Sequence, residues 1–353
     1  MGIIRVLLAA AVVLWHAPGW VGHDPFTSVV RPLPGYYAVQ AFFVISGFYM
    51  ELLRKKYAPA PIWIFYSNRY SRLIVSYWIV LAATVLLIAL MPGVSFPPST
   101  FLASFRSDSA SEWALVVFSN VMMFGQDLLS VLFSLPSNAL LIPQAWSLAL
   151  ELWFYLLVPF LWRASDRTLW IIVAASLALR LIIVLSPLPF WPWQQRFFPV
   201  EIMFFVLGML SFRRSSEILT VVRSGRACLL LVSALISFAG WLQPVAFPWS
   251  VRPESEMLLP SSILVGAIFY LTLPAMFSLT SRSRIDRLIG EFSYPIYLVH
   301  ITLWYFFEPR FLLILCVVVS APIVFFVEHP LEQWRNNRLR ARTVKSAMRS
   351  ANV

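Results

Sequence analysis

Long apolar runs, separated by short basic and proline-aromatic segments, set the pattern of this chain. Eleven runs stand out, at about residues 3–18, 35–53, 70–91, 113–133, 146–162, 168–186, 197–212, 227–243, 258–279, 292–307 and 311–327. Most approach the roughly 20 apolar residues that a helix needs to cross hydrocarbon. They predict an all-α, polytopic membrane bundle. A few ionisable residues interrupt them: Arg5 and His16 in the first run, Glu151 in the fifth and His300 in the tenth. Such groups are costly inside a bilayer and tend to mark function.

Composition agrees with the pattern. The chain of 353 residues is 60% hydrophobic and only 12% charged, about half the roughly 25% charge of a soluble domain. Its mean hydropathy is +0.78. Too few polar residues are present to cover a water-facing surface. The net charge of +11 points to basic loops on the cytoplasmic side of a membrane rather than to nucleic acid. Cys228 and Cys316 both fall within apolar runs, so neither a disulfide framework nor a metal site is indicated. The first run ends in His16-Ala17-Pro18-Gly19-Trp20 instead of a small-x-small cleavage site, and reads as a retained helix.

Charge decides which runs cross. If 113–133 does not span, ten crossings leave both termini on the cytoplasmic side. Twenty basic residues then lie on that side, among them Arg54 to Arg72, Arg213 to Arg226 and six in the C-terminal segment. Only five (Arg31, Arg106, Arg196, Arg252 and Arg310) lie outside. Residues 113–133 are therefore expected as a re-entrant or surface helix pair, tolerable at membrane depth if protein covers the backbone. Residues 1–330 read as a transmembrane domain and 331–353 as a basic cytoplasmic tail near anionic lipid. Trp191-Pro192-Trp193 and Phe247-Pro248-Trp249 read as interfacial belt residues.

The polar residues form a constellation. Arg5 and His16 are eleven residues apart, which returns to within about 20° of one helix face over a rise of about 16 Å. Both are expected to point into one groove. Gln40 and Ser46-Gly47 mark the second run, and small residues there allow close helix approach. Arg69 and Arg72 lie three apart at the entry to the third run, a candidate phosphate clamp. Ser147 and Glu151 share a helix face at four-residue spacing, just after Trp146. Tyr297 precedes His300 by less than one turn. No metal-ligand spacing, phosphate-binding glycine loop or His-x-x-x-Asp motif is present.

These residues resemble, in order along the chain, the motifs of the acyltransferase-3 family of bacterial integral-membrane acyltransferases. Arg5 and His16 match its Arg-ten residues-His signature, and Phe42-Phe43-Val44-Ile45-Ser46-Gly47-Phe48 its second-helix motif. Asn68-Arg69-Tyr70-Ser71-Arg72-Leu73 resembles its arginine-rich entry to the third helix. Trp146-Ser147-Leu148 with Glu151 and Tyr155 resembles its middle motif. Ser293-Tyr294 to Tyr297-Leu298-Val299-His300 and Val327-Glu328-His329-Pro330 resemble its last two. The chain departs from the pattern in having only four residues before Arg5, and in Ala38 and Gln40 where a glycine and an acidic residue are usual.

The resemblance implies transfer of an acyl group, often acetyl, from cytoplasmic acyl-CoA to a hydroxyl of a surface glycan or glycolipid at a bacterial inner membrane. The compact form is similar to exopolysaccharide and Nod-factor O-acetyltransferases. No bound cofactor or nucleic-acid partner is expected; the partners are acyl-CoA, a carbohydrate or lipid-linked glycan, and membrane lipid. In that scheme Arg69, Arg72 and Ser46 hold the donor, and His16 is the general base. Arg5 steadies the donor or an oxyanion, and Glu151 or a serine orients the imidazole. His300, Gln40, Trp146, Ser147 and Tyr297 serve the acceptor or support the site. The rival class is a secondary transporter with a His/Glu/Arg relay, against which stands the lack of two-fold similarity between the halves.

Overall fold

The computed structural model describes residues 1–16, 32–99, 110–132, 139–241, 259–307 and 311–351, with side chains described as far as residue 341 and those of 190, 191, 241 and 259 left aside. The helices in chain order begin with α1 (Gly2–His16), α2 (Gly35–Tyr57), α3 (Ile62–Leu90), α4 (Ala110–Met122) and α5 (Gln126–Leu132). Next come α6 (Trp146–Leu161), α7 (Asp166–Leu185), α8 (Phe198–Arg213), α9 (Ser215–Val221) and α10 (Gly225–Phe238). The last are α11 (Leu259–Thr280), α12 (Arg284–Glu291), α13 (Ser293–Phe307), α14 (Leu312–Ile323) and α15 (His329–Ala351). No strand occurs among the described residues. The all-α membrane bundle is what the apolar runs predict.

The described residues of all ten segments expected to cross are mainly helical, but the helices differ in reach. Among the described residues, six helical stretches are long and apolar enough to span, and α9 with α10, bent by 90° at the break, would make a seventh. Helices α1, α8 and α13 have only 15 or 16 residues, fewer than the about 20 of a full crossing. The segment after His16, Arg31, Arg106, Arg252, Arg310 and Phe247-Pro248-Trp249 lie outside the described residues.

The bundle is built around close backbone approach. A Cβ on Gly47 of α2 would lie 1.8 Å from the Phe205 carbonyl oxygen, and one on Gly208 of α8 1.9 Å from that of Val44. Only glycine permits this contact, which draws α2 and α8 together without any hydrophobic drive between helices. Helix α1 buries Ile4, Leu8, Ala9, Ala11, Val12 and Val13 and packs against α2, α12 and α13. Its first amides are capped from another element: the Asp286 carboxylate accepts from Gly2 N (2.7 Å) and Ile3 N (3.0 Å). An acidic group there satisfies orphan amides and complements the helix dipole.

The described part of the expected 113–133 pair resolves into α4 and α5, joined through a tight turn with Met123 at φ 60° and Gly125 at φ 76°. Side chains of α3 staple this pair. Tyr77 donates to the Asn120 carbonyl (2.6 Å), Trp78 to that of Val121 (2.7 Å) and Tyr70 to that of Met122 (3.3 Å). These bonds satisfy carbonyls at the end of α4 that have no partner within their own helix.

The C-terminal segment is a folded element. A π-helical turn, Val324–Glu328, follows Pro322 and joins α14 to α15. Helix α15 folds against the ends of α2 and α3: Lys56 donates to Asn336 (2.9 Å) and Arg338 to Ser67 (2.5 Å).

Candidate active site

Helices α1, α2, α3, α6 and α13 enclose a small chamber of about 90 Å³. Arg5, Ser46, Tyr49, Arg72, Ser147, Glu151, Tyr294 and Tyr297 give it polar walls, and Val39, Phe42, Ile45 and Leu148 apolar ones. Arg5, Tyr49, Arg72 and Tyr294 also line a larger vestibule of about 410 Å³, so the two adjoin. The vestibule carries Lys56, Arg69, Arg287 and Arg335 besides Arg5 and Arg72. Four carboxylates, of Asp286, Glu291, Glu328 and Glu332, face the same space.

Glu151 organises the chamber. Its Oε1 accepts from Ser46 Oγ and from Tyr155 OH, both at 2.6 Å, joining α2 to α6. Opposite, Tyr294 donates to the Leu73 carbonyl (2.5 Å). The far wall is closed by Tyr297 and Ser147, whose hydroxyls are 2.7 Å apart, with Tyr297 also donating to the Gln144 carbonyl (2.8 Å).

The two histidines stand beyond that wall. Neither lines the chamber or the vestibule. The rings of Tyr297 and His300 are 5.8 Å apart, and those of His300 and His16 5.2 Å apart. His16 Nδ1 lies 2.9 Å from the Val12 carbonyl oxygen and His300 Nδ1 2.8 Å from that of Tyr297. Carbonyl oxygens only accept, so each neutral ring carries its proton on Nδ1 and presents a bare Nε2. His300 is fully buried, and its Nε2 has no partner among the described residues.

This arrangement corrects parts of the expected one. Arg5 lines the chamber while His16 lies past its end, because about 16 Å of helix separates them. Glu151 orients Ser46 and Tyr155, not the imidazole, whose Nδ1 is held by its own helix. Ser46 is accordingly engaged by Glu151. Gln40 turns away from the chamber toward Glu201 Oε1 (3.5 Å). Trp146 lies beneath the Arg196 guanidinium, 5.4 Å from Cζ to ring centre. Arg69 and Arg72 both reach the vestibule, and Arg69 donates to Tyr57 OH (3.3 Å).

The acyltransferase-3 family model, described as an acyltransferase domain, matches residues 1–327. The chain belongs to this family. It is a multi-pass membrane acyltransferase. No curated protein and no solved structure matches it.

Several polar groups of this acyltransferase lie outside the set that the sequence singles out. Arg180 and Glu201 form a buried ion pair at 2.6 Å, exposed by only 2% and 0%. Each stands alone in an apolar run and carries the same signal as Glu151. Glu328 accepts from Ser76, and His329 pairs with Glu291. Arg335 belongs to the segment expected as a plain tail, and local charge counting cannot separate a site residue from a topological one. Beyond the chamber, Asp127 of α5 is buried beside Trp153, whose indole N–H donates to it (3.3 Å). Burial pushes its carboxyl up to about 6, against the pull of that bond and of Arg196.

Proposed function

We propose that this protein is an acyl-CoA-dependent O-acyltransferase of a bacterial inner membrane, with the vestibule and both termini on the cytoplasmic side. It moves a short acyl group, acetyl in the simplest case, to a hydroxyl of a surface glycan or glycolipid. One observation carries the reading: helix α1 links a basic vestibule, through Arg5 and the chamber, to an imidazole pair with bare Nε2 atoms. Six basic side chains against four carboxylates suit a polyanionic nucleotide head, and the narrow chamber adjoins the vestibule on its inner side.

The donor enters phosphates first on Arg69 and Arg72, and its pantetheine arm follows α1. The rise of about 16 Å between Arg5 and His16 supports a donor-side role for Arg5. An arginine side chain cannot span that distance, so Arg5 holds the donor rather than an oxyanion at His16. To reach the histidines the thioester passes the Ser147–Tyr297 pair, which is closed here. His16 Nε2 takes the proton of the acceptor hydroxyl while its oxygen attacks the thioester carbonyl. The tetrahedral intermediate expels CoA thiolate, which receives the proton held on His16 Nε2, and the ester leaves with the acceptor. His300, Trp146 and Gln40 support this site from its outer side.

The test is release of free CoA by purified protein in liposomes with host glycan present, wild type beside His16→Ala. Release that vanishes in the variant, with label appearing on glycan, is the expected outcome. A folded wild type that releases no CoA from any of several acyl donors would overturn the reading in favour of a transporter.

A further inference from the structure

The vestibule holds guanidinium nitrogens that have no hydrogen-bond partner among the described residues. Arg69 Nε and Nη1 and Arg335 Nη1 are buried and have no partner among the described residues. Both residues are 8% exposed, and both line the vestibule together with Arg72. Buried donors in native proteins are nearly always satisfied, and three like charges in one space repel. The Glu328 and Glu332 carboxylates attract Arg72 and Arg335 across the vestibule, but neither forms an ion pair or hydrogen bond with Arg335 among the described residues.

We infer that Arg335, with Arg69 and Arg72, forms a site for a phosphate monoester dianion, the 3′-phosphate of the CoA-class donor. The inference rests on the donor assigned above and deepens it. A monoester offers three terminal oxygens and up to two charges, matching several guanidiniums from two helices; a diester offers two oxygens and one charge. The vestibule has the volume for a nucleotide head, about 410 Å³, which the 90 Å³ chamber lacks. Arg335 is also firmly placed. The π-helical turn Val324–Glu328 delivers α15 to the vestibule, and Asn336 and Arg338 fasten it to Lys56 and Ser67. Because the family match ends at residue 327, this part of donor recognition comes from the chain beyond the matched region. The shared chemistry also fits a lipid with a monoester headgroup, so the experiment separates the two sources.

The experiment is isothermal titration of the purified full chain in lipid-free detergent with CoA and with dephospho-CoA, for wild type, Arg335→Met and Arg335→Lys. Losing the bonds of one charged group costs about tenfold or more in affinity. Wild type is therefore expected to bind CoA at least about tenfold tighter than dephospho-CoA. The ratio falls to near one in Arg335→Met and is partly kept in Arg335→Lys. Unchanged affinity for dephospho-CoA in the variants shows that they are folded. Equal binding of the two ligands by wild type, or a ratio that survives Arg335→Met, overturns the inference while leaving the donor assignment intact. Absence of binding by either ligand overturns both. Nanodiscs containing phosphatidic acid supply the last arm: Arg335-dependent stabilisation by that lipid, with no preference for CoA over dephospho-CoA, would assign the site to lipid and overturn the inference.

Discussion

Replacing Arg180 by methionine isolates one buried charge and tests how this bundle holds α2 in place. Arg180 Nη2 lies 2.6 Å from Glu201 Oε1 and 3.1 Å from the Val200 carbonyl oxygen. The Gln40 amide, at 3.5 Å, is the next donor to the same carboxylate oxygen. Arg180→Met therefore leaves a carboxylate with one long amide contact in an interior that excludes water. Breaking a buried pair from one side costs about 3–5 kcal/mol, whereas replacing both partners by apolar groups of similar volume is close to neutral. At about 2 °C per kcal/mol for a chain of this size, the single variant should melt about 5–10 °C below wild type. Arg180→Met with Glu201→Met should recover most of that loss, giving a coupling of at least about 2 kcal/mol in a double-mutant cycle. Thermal unfolding in detergent, followed by tryptophan fluorescence, reads all four corners. Gln40 and Ser46 share α2, so CoA release should fall and recover with stability. The reasoning is refuted if Arg180→Met melts within about 2 °C of wild type, or if the two substitutions simply add.

Two further outcomes follow from the site. Glu151→Gln removes the charge behind two 2.6 Å hydrogen bonds from Ser46 and Tyr155, a loss of about 1 kcal/mol or more per bond. It should lower kcat/KM for the acyl donor at least about tenfold, and a change within twofold would show that Glu151 does not organise the chamber. For Asp127, a native carboxyl at about 6 against an ordinary 3.8 means that the folded state binds more protons than the unfolded between those values. Its contribution is thus favourable below about pH 4 and lost as pH rises through 6. Asp127→Asn should flatten the fall of melting temperature between pH 4 and 6 and should not destabilise the protein at pH 7; an unchanged pH slope would contradict the burial argument.

The helices, their apolar character and the separation of basic from neutral loops are written locally. Each residue contributes its own transfer free energy, and a sum over about 20 positions reports a crossing segment whatever surrounds it. The same local logic marked Arg5, His16, Glu151 and His300 as residues out of place in hydrocarbon, and their ordered motifs led to the family. Helix period also aligned Arg5 with His16 on α1. It did not show that the Ser147–Tyr297 pair would stand between the chamber and the histidines, since that pair joins residues 150 positions apart.

What the sequence by itself determined is therefore the class of fold, part of the set of polar residues and the family of chemistry. Tertiary structure alone decided which partner each polar group meets. Glu151 turned to Ser46 and Tyr155 rather than to His16, Gln40 joined Arg180 and Glu201, and Arg335 left an apparent tail to enter the vestibule. The physical reason is that burial follows from composition summed along a segment, whereas a hydrogen bond requires two atoms within about 3 Å. That distance depends on how separate helices pack, which here turns on contacts as close as those at Gly47 and Gly208.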